Sequence, residues 1–191
     1  MTHRAAEDVD LIRRYLAGDV AAFDDLMRAH QDRVFGICLR MLRNREAALD
    51  ATQETFLTVF RKADRYQGKA AFSTWLYRVA VNTCYDLLRR QQRRQTDPIP
   101  EGMDPPDPSA DDVLAGVEVR PDIESALQAI QPEFRGALVL VDLEGLAIDT
   151  AAEILGVPSG TIKSRVYRGR RALAEHLGNL RNPLEHLRDE P

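Results

Sequence analysis

The chain is 191 residues long, enough for one or two domains, and its 44% hydrophobic and 6% aromatic content suits an all-helical globular protein with modest cores. Its two cysteines, Cys38 and Cys84, stand far apart with no CxxC and no nearby His pair, which argues against a metal site or disulfide framework and for a reduced, cytoplasmic setting. No apolar run approaches about 18 residues and the start MTHRAAEDVD has no apolar core, so neither membrane insertion nor a signal peptide is expected.

The formal net charge of −4 looks wrong for a nucleic-acid binder, but the charge is sorted along the chain. Residues 1–95 carry 17 Lys and Arg against 12 Asp and Glu. Residues 96–124 carry 1 against 9, and residues 125–191 carry 8 against 9. Segregation of this kind says more about partners than the total does.

In chain order, a short helix is expected over Asp8–Ala17, broken by Gly18-Asp19 with Asp19 as candidate N-cap. Val20–Leu42 follows, with Phe23, Leu26, Val34, Ile37, Cys38 and Met41 at helical spacing. Asn44 is placed to cap a third helix running to about Ala63, whose expected apolar stripe is Leu49, Thr52, Phe56, Val59 and Phe60. Arg65–Ala71 reads as a loop containing Gly68, and Phe72 to about Gln95 as a long helix carrying Phe72, Trp75, Leu76 and Val79.

Thr96–Arg120 holds five prolines and seven acids with no apolar periodicity, so it reads as an extended, solvated tether. Helices are then expected over Asp122–Ile130 and Pro132–Glu144, with Pro132 at the first helical position. Asp149–Leu177 reads as helix, tight turn, helix. Thr150-Ala-Ala-Glu153 is a capping box, Gly156 a left-handed C-cap, and Ser159, after Pro158, an N-cap. That is a helix-turn-helix, a device for placing a helix in the DNA major groove. In its second helix Ile162, Val166, Leu173 and Leu177 share one face, with Gly169 allowing close approach. Lys163, Ser164, Tyr167, Arg168 and Arg171 point elsewhere, and residues 160–171 hold five cations and no anion. The first turns of such a helix reach base edges while flanking cations hold phosphates.

The N-terminal half interleaves cations and aromatics between Arg61 and Arg94. Cations track phosphates and exposed rings stack on unpaired bases, so this composition suits single-stranded or melting DNA. Phe72 and Trp75 are expected in the core, and Tyr66, beside Gly68, is the better candidate for an exposed ring. Nothing resembles a catalytic triad, a phosphate-cradling loop or a metal-ligand cluster, and no cofactor is expected.

Three segments in order, QETFLTVFR (Gln53–Arg61), FSTWLYRVAVNTCYDLLRR (Phe72–Arg90) and GVPSGTIKSRVYRGRRAL (Gly156–Leu173), resemble the extracytoplasmic-function sigma factors of the bacterial sigma-70 family. The resemblance covers roughly Asp8 to Leu177. It implies an all-α fold of two small helical domains joined by a flexible acidic, Pro-rich linker. These are a region 2-like bundle over residues 1–95, the linker over 96–120, a region 4-like helix-turn-helix over 121–180 and a tail over 181–191. It also implies the partners: core RNA polymerase, through the clamp helices of its largest subunit and the flap of the second largest, promoter DNA, and an anti-sigma factor.

By the same resemblance, Asp50, Gln53, Glu54, Phe56 and Leu57 dock on the polymerase, although Ala47 and Leu49 stand where the family often has acids, and Glu46 offers a substitute. The loop Tyr66–Ala71 captures a flipped −10 base, with Tyr66, Lys69, Asn82, Arg89 and Arg90 on the −10 strand. Lys163, Ser164, Tyr167, Arg168 and Arg171 bind the −35 element, the first four nearest the bases, while Arg165, Arg170 and Arg171 serve structure or phosphates. The acidic linker is placed to imitate nucleic acid on the polymerase.

Two other classes compete. A stand-alone helix-turn-helix regulator predicts a dimer with tight duplex binding by itself. A nucleic-acid enzyme with a targeting domain needs a catalytic constellation that the chain lacks.

Overall fold

The structure, a computed structural model, describes residues 2–96, 126–127 and 129–181. The described residues are helical and contain no strand. The expected acidic linker, the helix over Asp122–Ile130 and the tail fall largely or wholly outside them.

Helix α1 spans Thr2–Leu16, starting earlier than the pattern indicated, and stops at Gly18, whose φ of 102° a side chain resists. Helix α2 spans Val20–Leu42. Asp19 stands at its N-cap position but does not cap it, because the carboxylate is taken by Arg14 through Nε at 3.0 Å and Nη2 at 2.6 Å. The hydrogen bond from Arg14 holds the Asp19 carboxyl below the usual carboxylate range. Helix α2 ends at Arg43, a non-glycine residue at φ 60°, whose N–H closes on Leu39 O at 2.8 Å. Asn44 caps α3, Arg45–Lys62, by accepting from the Ala47 N–H at 2.8 Å, as the sequence indicated. A single 3-10 turn, Ala63–Arg65, leads to the loop with Gly68 at φ 66° and then to α4, Phe72–Thr96.

These four helices form a bundle around Ile37, Met41, Val59, Phe72, Leu76 and Val81, all at most 2% exposed. Asp8 on α1 and His30 on α2 meet in its interior at 2.9 Å. Leu49 and Phe60, expected on the buried stripe of α3, are exposed instead, because that helix presents Ala48, Ala51, Thr55, Phe56 and Val59 to the core.

The second half opens with α5, Pro132–Leu138, with proline in its first turn as expected. The single helix expected to run to Glu144 is interrupted, since residues Val139–Leu143 form a π turn closed by the Glu144 N–H on Val139 O at 2.9 Å. Helix α6, Ile148–Leu155, starts two residues before Thr150, so the capping box does not form. Gly156 does take the left-handed C-cap, at φ 65°. Helix α7, Ser159–Arg181, begins at Ser159 itself. The Ser159 hydroxyl donates to Asp149 at 2.6 Å rather than capping, which ties the two helices of the motif together. A Cβ on Gly169 would lie 2.9 Å from Leu138, so the glycine lets α7 lie close on α5.

The two halves touch. Helix α6 packs against α4, and α5 and the π turn pack against α2, so one apolar cluster runs through both halves.

Candidate nucleic-acid interface

Helices α3 and α4 pack side by side and leave an open groove of about 660 Å³ between them. Asp50, Gln53, Glu54 and Leu57 line it from α3, and Trp75, Arg78, Asn82 and Arg90 from α4. Residues expected to serve two partners thus share one concave surface. The helical repeat explains the grouping: positions 50, 54 and 57 stack on one face of α3, and 75, 78, 82, 86 and 90 on one face of α4. Asp50, Gln53, Glu54 and Asn82 are exposed along it.

Phe56 is different. Its ring is 6% exposed and lies in the bundle core, so it positions α3 and presents no contact surface. The apolar part of the outward face is supplied by Leu57, with Leu49 and Phe60 exposed on the same helix. The sequence assigned those last two to the core because a three-four spacing alone does not say which side of a helix faces inward.

Tyr66 is not a free ring. It is half-buried, with its centroid 5.6 Å from Trp75 and 5.7 Å from Phe72, and its hydroxyl donates to Ala70 O at 2.7 Å. Burial pushes its pKa upward. Tyr66 thereby pins the loop and buttresses Trp75, which lines the groove. Lys69 stands exposed on that loop. Arg90 lines the groove, whereas Arg89 is exposed outside it and paired with Asp86 at 2.5 Å.

On α7 the five expected reading residues, Lys163, Ser164, Tyr167, Arg168 and Arg171, are all exposed, with Tyr167 at 69%. The opposite face buries Ile162, Val166 and Gly169. Among the cations of this helix, Arg170 is held by Asp142 at 2.6 and 2.9 Å and Arg171 by Glu175 at 2.9 Å. The Ser164 hydroxyl donates to Thr161 O at 2.9 Å. An exposed tyrosine among exposed cations on a helix whose other face is locked down can read groove edges and phosphates. Among the described residues no cluster of three potential metal ligands stands together, and no helix is long and apolar enough to cross a membrane.

One polar group of residues has no local signal in the amino-acid order. Glu144, at the end of the π turn, accepts from Arg33 Nε at 2.7 Å and Arg40 Nη1 at 2.6 Å, both on α2. Arg135 on α5 reaches Met41 O at the end of α2 at 2.6 Å and Ile130 O at 3.1 Å. Apart from Ile130, these partners are 94 to 111 residues apart in sequence, where no local pattern pairs them.

Known proteins carry the same two halves in the same order. The family description Sigma-70 region 2 matches residues 26–94, and Sigma-70, region 4 matches residues 120–173. An ECF RNA polymerase sigma factor, SigM of Mycobacterium tuberculosis, is 39% identical over 91% of this chain and 86% of its own length. SigE of Mycolicibacterium smegmatis, also an ECF RNA polymerase sigma factor, is 39% identical over 84% of this chain, which spans 64% of that relative's length. Among solved structures, the sigma factor RpoE of Bartonella quintana, determined in complex with the anti-sigma factor NepR, shares the fold with a TM-score of 0.67 at 24% identity, covering 83% of this chain and 98% of that one. The groove on the first half, the helix-turn-helix on the second and both family matches lead to one assignment: the chain belongs to the extracytoplasmic-function sigma factors of the sigma-70 family.

Proposed function

We propose that this protein is a promoter-specificity subunit of RNA polymerase, binding core polymerase through the outward face of α3 and reading a two-part promoter with α4 and α7. The observation that carries the reading is the pairing of the α3–α4 groove with a helix-turn-helix whose reading residues all stand exposed. Asp50, Gln53, Glu54 and Leu57, with Leu49 and Phe60, offer an exposed face of mixed polar and apolar character for the polymerase. Asn82 supplies both donors and acceptors to an unpaired base beside Trp75 in the groove. Lys69 and Arg90 hold nearby phosphates, Arg89 can join them on leaving Asp86, and Tyr66 acts by holding Trp75 and the loop.

Extracting a base costs a few kcal/mol, which stacking and hydrogen bonds in a pocket recover. Melting then runs on binding free energy, and the protein acts as a non-catalytic subunit, with RNA synthesis left to the polymerase. Lys163, Ser164, Tyr167, Arg168 and Arg171 read the −35 duplex. The partners place the protein in the cytoplasm, and an anti-sigma factor that covers either reading surface is the expected form of control.

Size-exclusion chromatography with bacterial core RNA polymerase, followed by run-off transcription from a promoter library, tests this. Co-elution with core, and new start sites preceded by a shared two-part element, are expected. Failure to bind core, with tight binding of the free protein to a palindromic duplex, would replace this reading with that of a stand-alone regulator.

A further inference from the structure

We propose that the acidic segment from Asp97 to Asp112 folds back on the arginine-rich end of α4 and competes there with nucleic acid, so that the free protein screens its own strand-binding face. The inference rests on the reading of α4 given above and adds a regulation of that same surface. Helix α4 runs to Thr96, and its last turns carry Arg89, Arg90, Arg93 and Arg94 within six residues. All four are exposed. Arg89 is paired with Asp86, while among the described residues no carboxylate meets Arg90, Arg93 or Arg94. Arg89 and Arg93 stand one turn apart, as do Arg90 and Arg94, a spacing at which like charges repel. The helix dipole accounts for cations in a last turn but not for the pair a turn earlier. Arg90 also lines the groove with Asn82, so a cationic strip continues from the groove to the end of the helix. What this strip lacks is a counter-anion.

The chain supplies one directly. Asp97–Asp112 holds six acids, five prolines and no cation. Asp97, Glu101, Asp104, Asp107 and Asp111 recur every three or four residues, which in an extended chain sets a carboxylate about every 9–12 Å. Proline has no N–H to give and the segment has no apolar periodicity, so charge is what it offers a partner. Position selects α4 over α7 as that partner. The acids begin at the residue after Thr96, whereas Lys163 follows Asp112 by 51 residues. A short loop costs less entropy to close than a long one, and a short tether holds its end at an effective concentration on the order of millimolar. On α7, moreover, Arg170 already has Asp142 and Arg171 has Glu175.

The strength of the contact follows from its kind. Exposed ion pairs are individually weak and are screened over about 10 Å at 0.1 M salt. The docked state is therefore a sum of several such pairs, and a strand presenting a continuous row of phosphates displaces it. A surface occupied in cis lowers apparent affinity by the fraction of the population left open. The free protein thus holds non-specific single strands weakly, and a strand that also fills the groove beside Asn82 outcompetes the acids.

The test uses the full chain with a nitroxide on Ser109→Cys, the native thiols being buried, and reads the backbone amides of α4 and α7 by NMR. At low salt the label is expected to broaden Arg89–Arg94 more than it does in a chain whose five aspartates over 97–112 become Asn, with Glu101→Gln. Salt of about 0.5 M, or an excess of an oligothymidine strand, is expected to abolish that difference. Arg93→Gln with Arg94→Gln, acids intact, should lose it too, which separates docking from proximity along the chain. The amide-substituted chain should bind oligothymidine about tenfold tighter by fluorescence anisotropy, and the same substitutions should gain less than about twofold in the Arg93→Gln, Arg94→Gln background. Broadening that ignores the acids, falls on α7 instead or survives saturating strand overturns the proposal. An equal gain in both backgrounds also overturns it, since that marks a general charge effect. If docking and displacement behave as expected while the chain fails to bind core polymerase, the proposal stands and the sigma-factor reading fails. Binding to core and promoter with no acid-dependent broadening keeps that reading and removes the proposal.

Discussion

Single side chains decide the joints of this molecule. Tyr85 sits at the seam, its hydroxyl 3.5 Å from Pro132 O, and burial pushes its pKa up to about 12. A tyrosine whose folded pKa lies above its unfolded value of about 10 stabilises the fold fully below pH 10 and loses that contribution as pH rises toward 12. Urea denaturation from pH 9 to 12 should show stability falling by on the order of 2–3 kcal/mol, and Tyr85→Phe should flatten the fall. An unchanged pH profile in the variant would remove Tyr85 as its cause. Cys38 and Cys84, distant in sequence, share a hydrogen bond in the bundle core, and that bond together with burial pushes the Cys84 thiol up. Both thiols are packing groups.

At the scale of elements, α7 separates buried, ion-paired and exposed side chains by angle around one helix, and the exposed set is the one proposed to read DNA. Arg168 is exposed with no carboxylate bonded to it among the described residues, whereas Arg170, two residues on, is locked to Asp142. Arg168→Ala should weaken binding of holoenzyme to a −35 duplex by about 1–3 kcal/mol, with core binding intact. Arg170→Ala should have a smaller effect on DNA binding and a larger one on thermal stability. Equal losses in DNA binding would show that the angular division is wrong. The periodicity that identifies α7 was legible in the sequence, as were the caps at Asn44 and Gly156. The capping box at Thr150 was legible and false, because α6 begins at Ile148 and Asp149 binds Ser159 instead.

Across the whole molecule, the proposed reading assigns polymerase contact and −35 reading to different halves. Asp50→Lys with Glu54→Lys should therefore lower core affinity about tenfold, about 1.4 kcal/mol, without altering the circular dichroism spectrum or the intrinsic affinity of α7 for duplex. A parallel loss in both assays would instead indicate unfolding. The shared groove adds a consequence at this scale: the α3 residues proposed to meet the polymerase and the α4 residues proposed to meet the −10 strand line the same cleft, so on that reading docking and strand capture are adjacent.

The amino-acid order alone determined the helices, the helix-turn-helix and the cationic edge of α7, because these depend on contacts within a few residues, where period, glycine and proline speak directly. The family resemblance singled out Asp50, Gln53, Glu54 and Asn82, and the packing leaves all four exposed. Which side of α3 is buried was decided only by packing: Phe56 went inward, Leu49 and Phe60 outward, since several faces of that helix are apolar enough to serve. The break of the fifth helix into a π turn, the burial of Tyr66 against Trp75 and the grip of Arg33 and Arg40 on Glu144 were likewise tertiary decisions. Their partners come from separate helices, in the last case from opposite halves of the chain, and a charge pair across more than a hundred residues has no period to betray it.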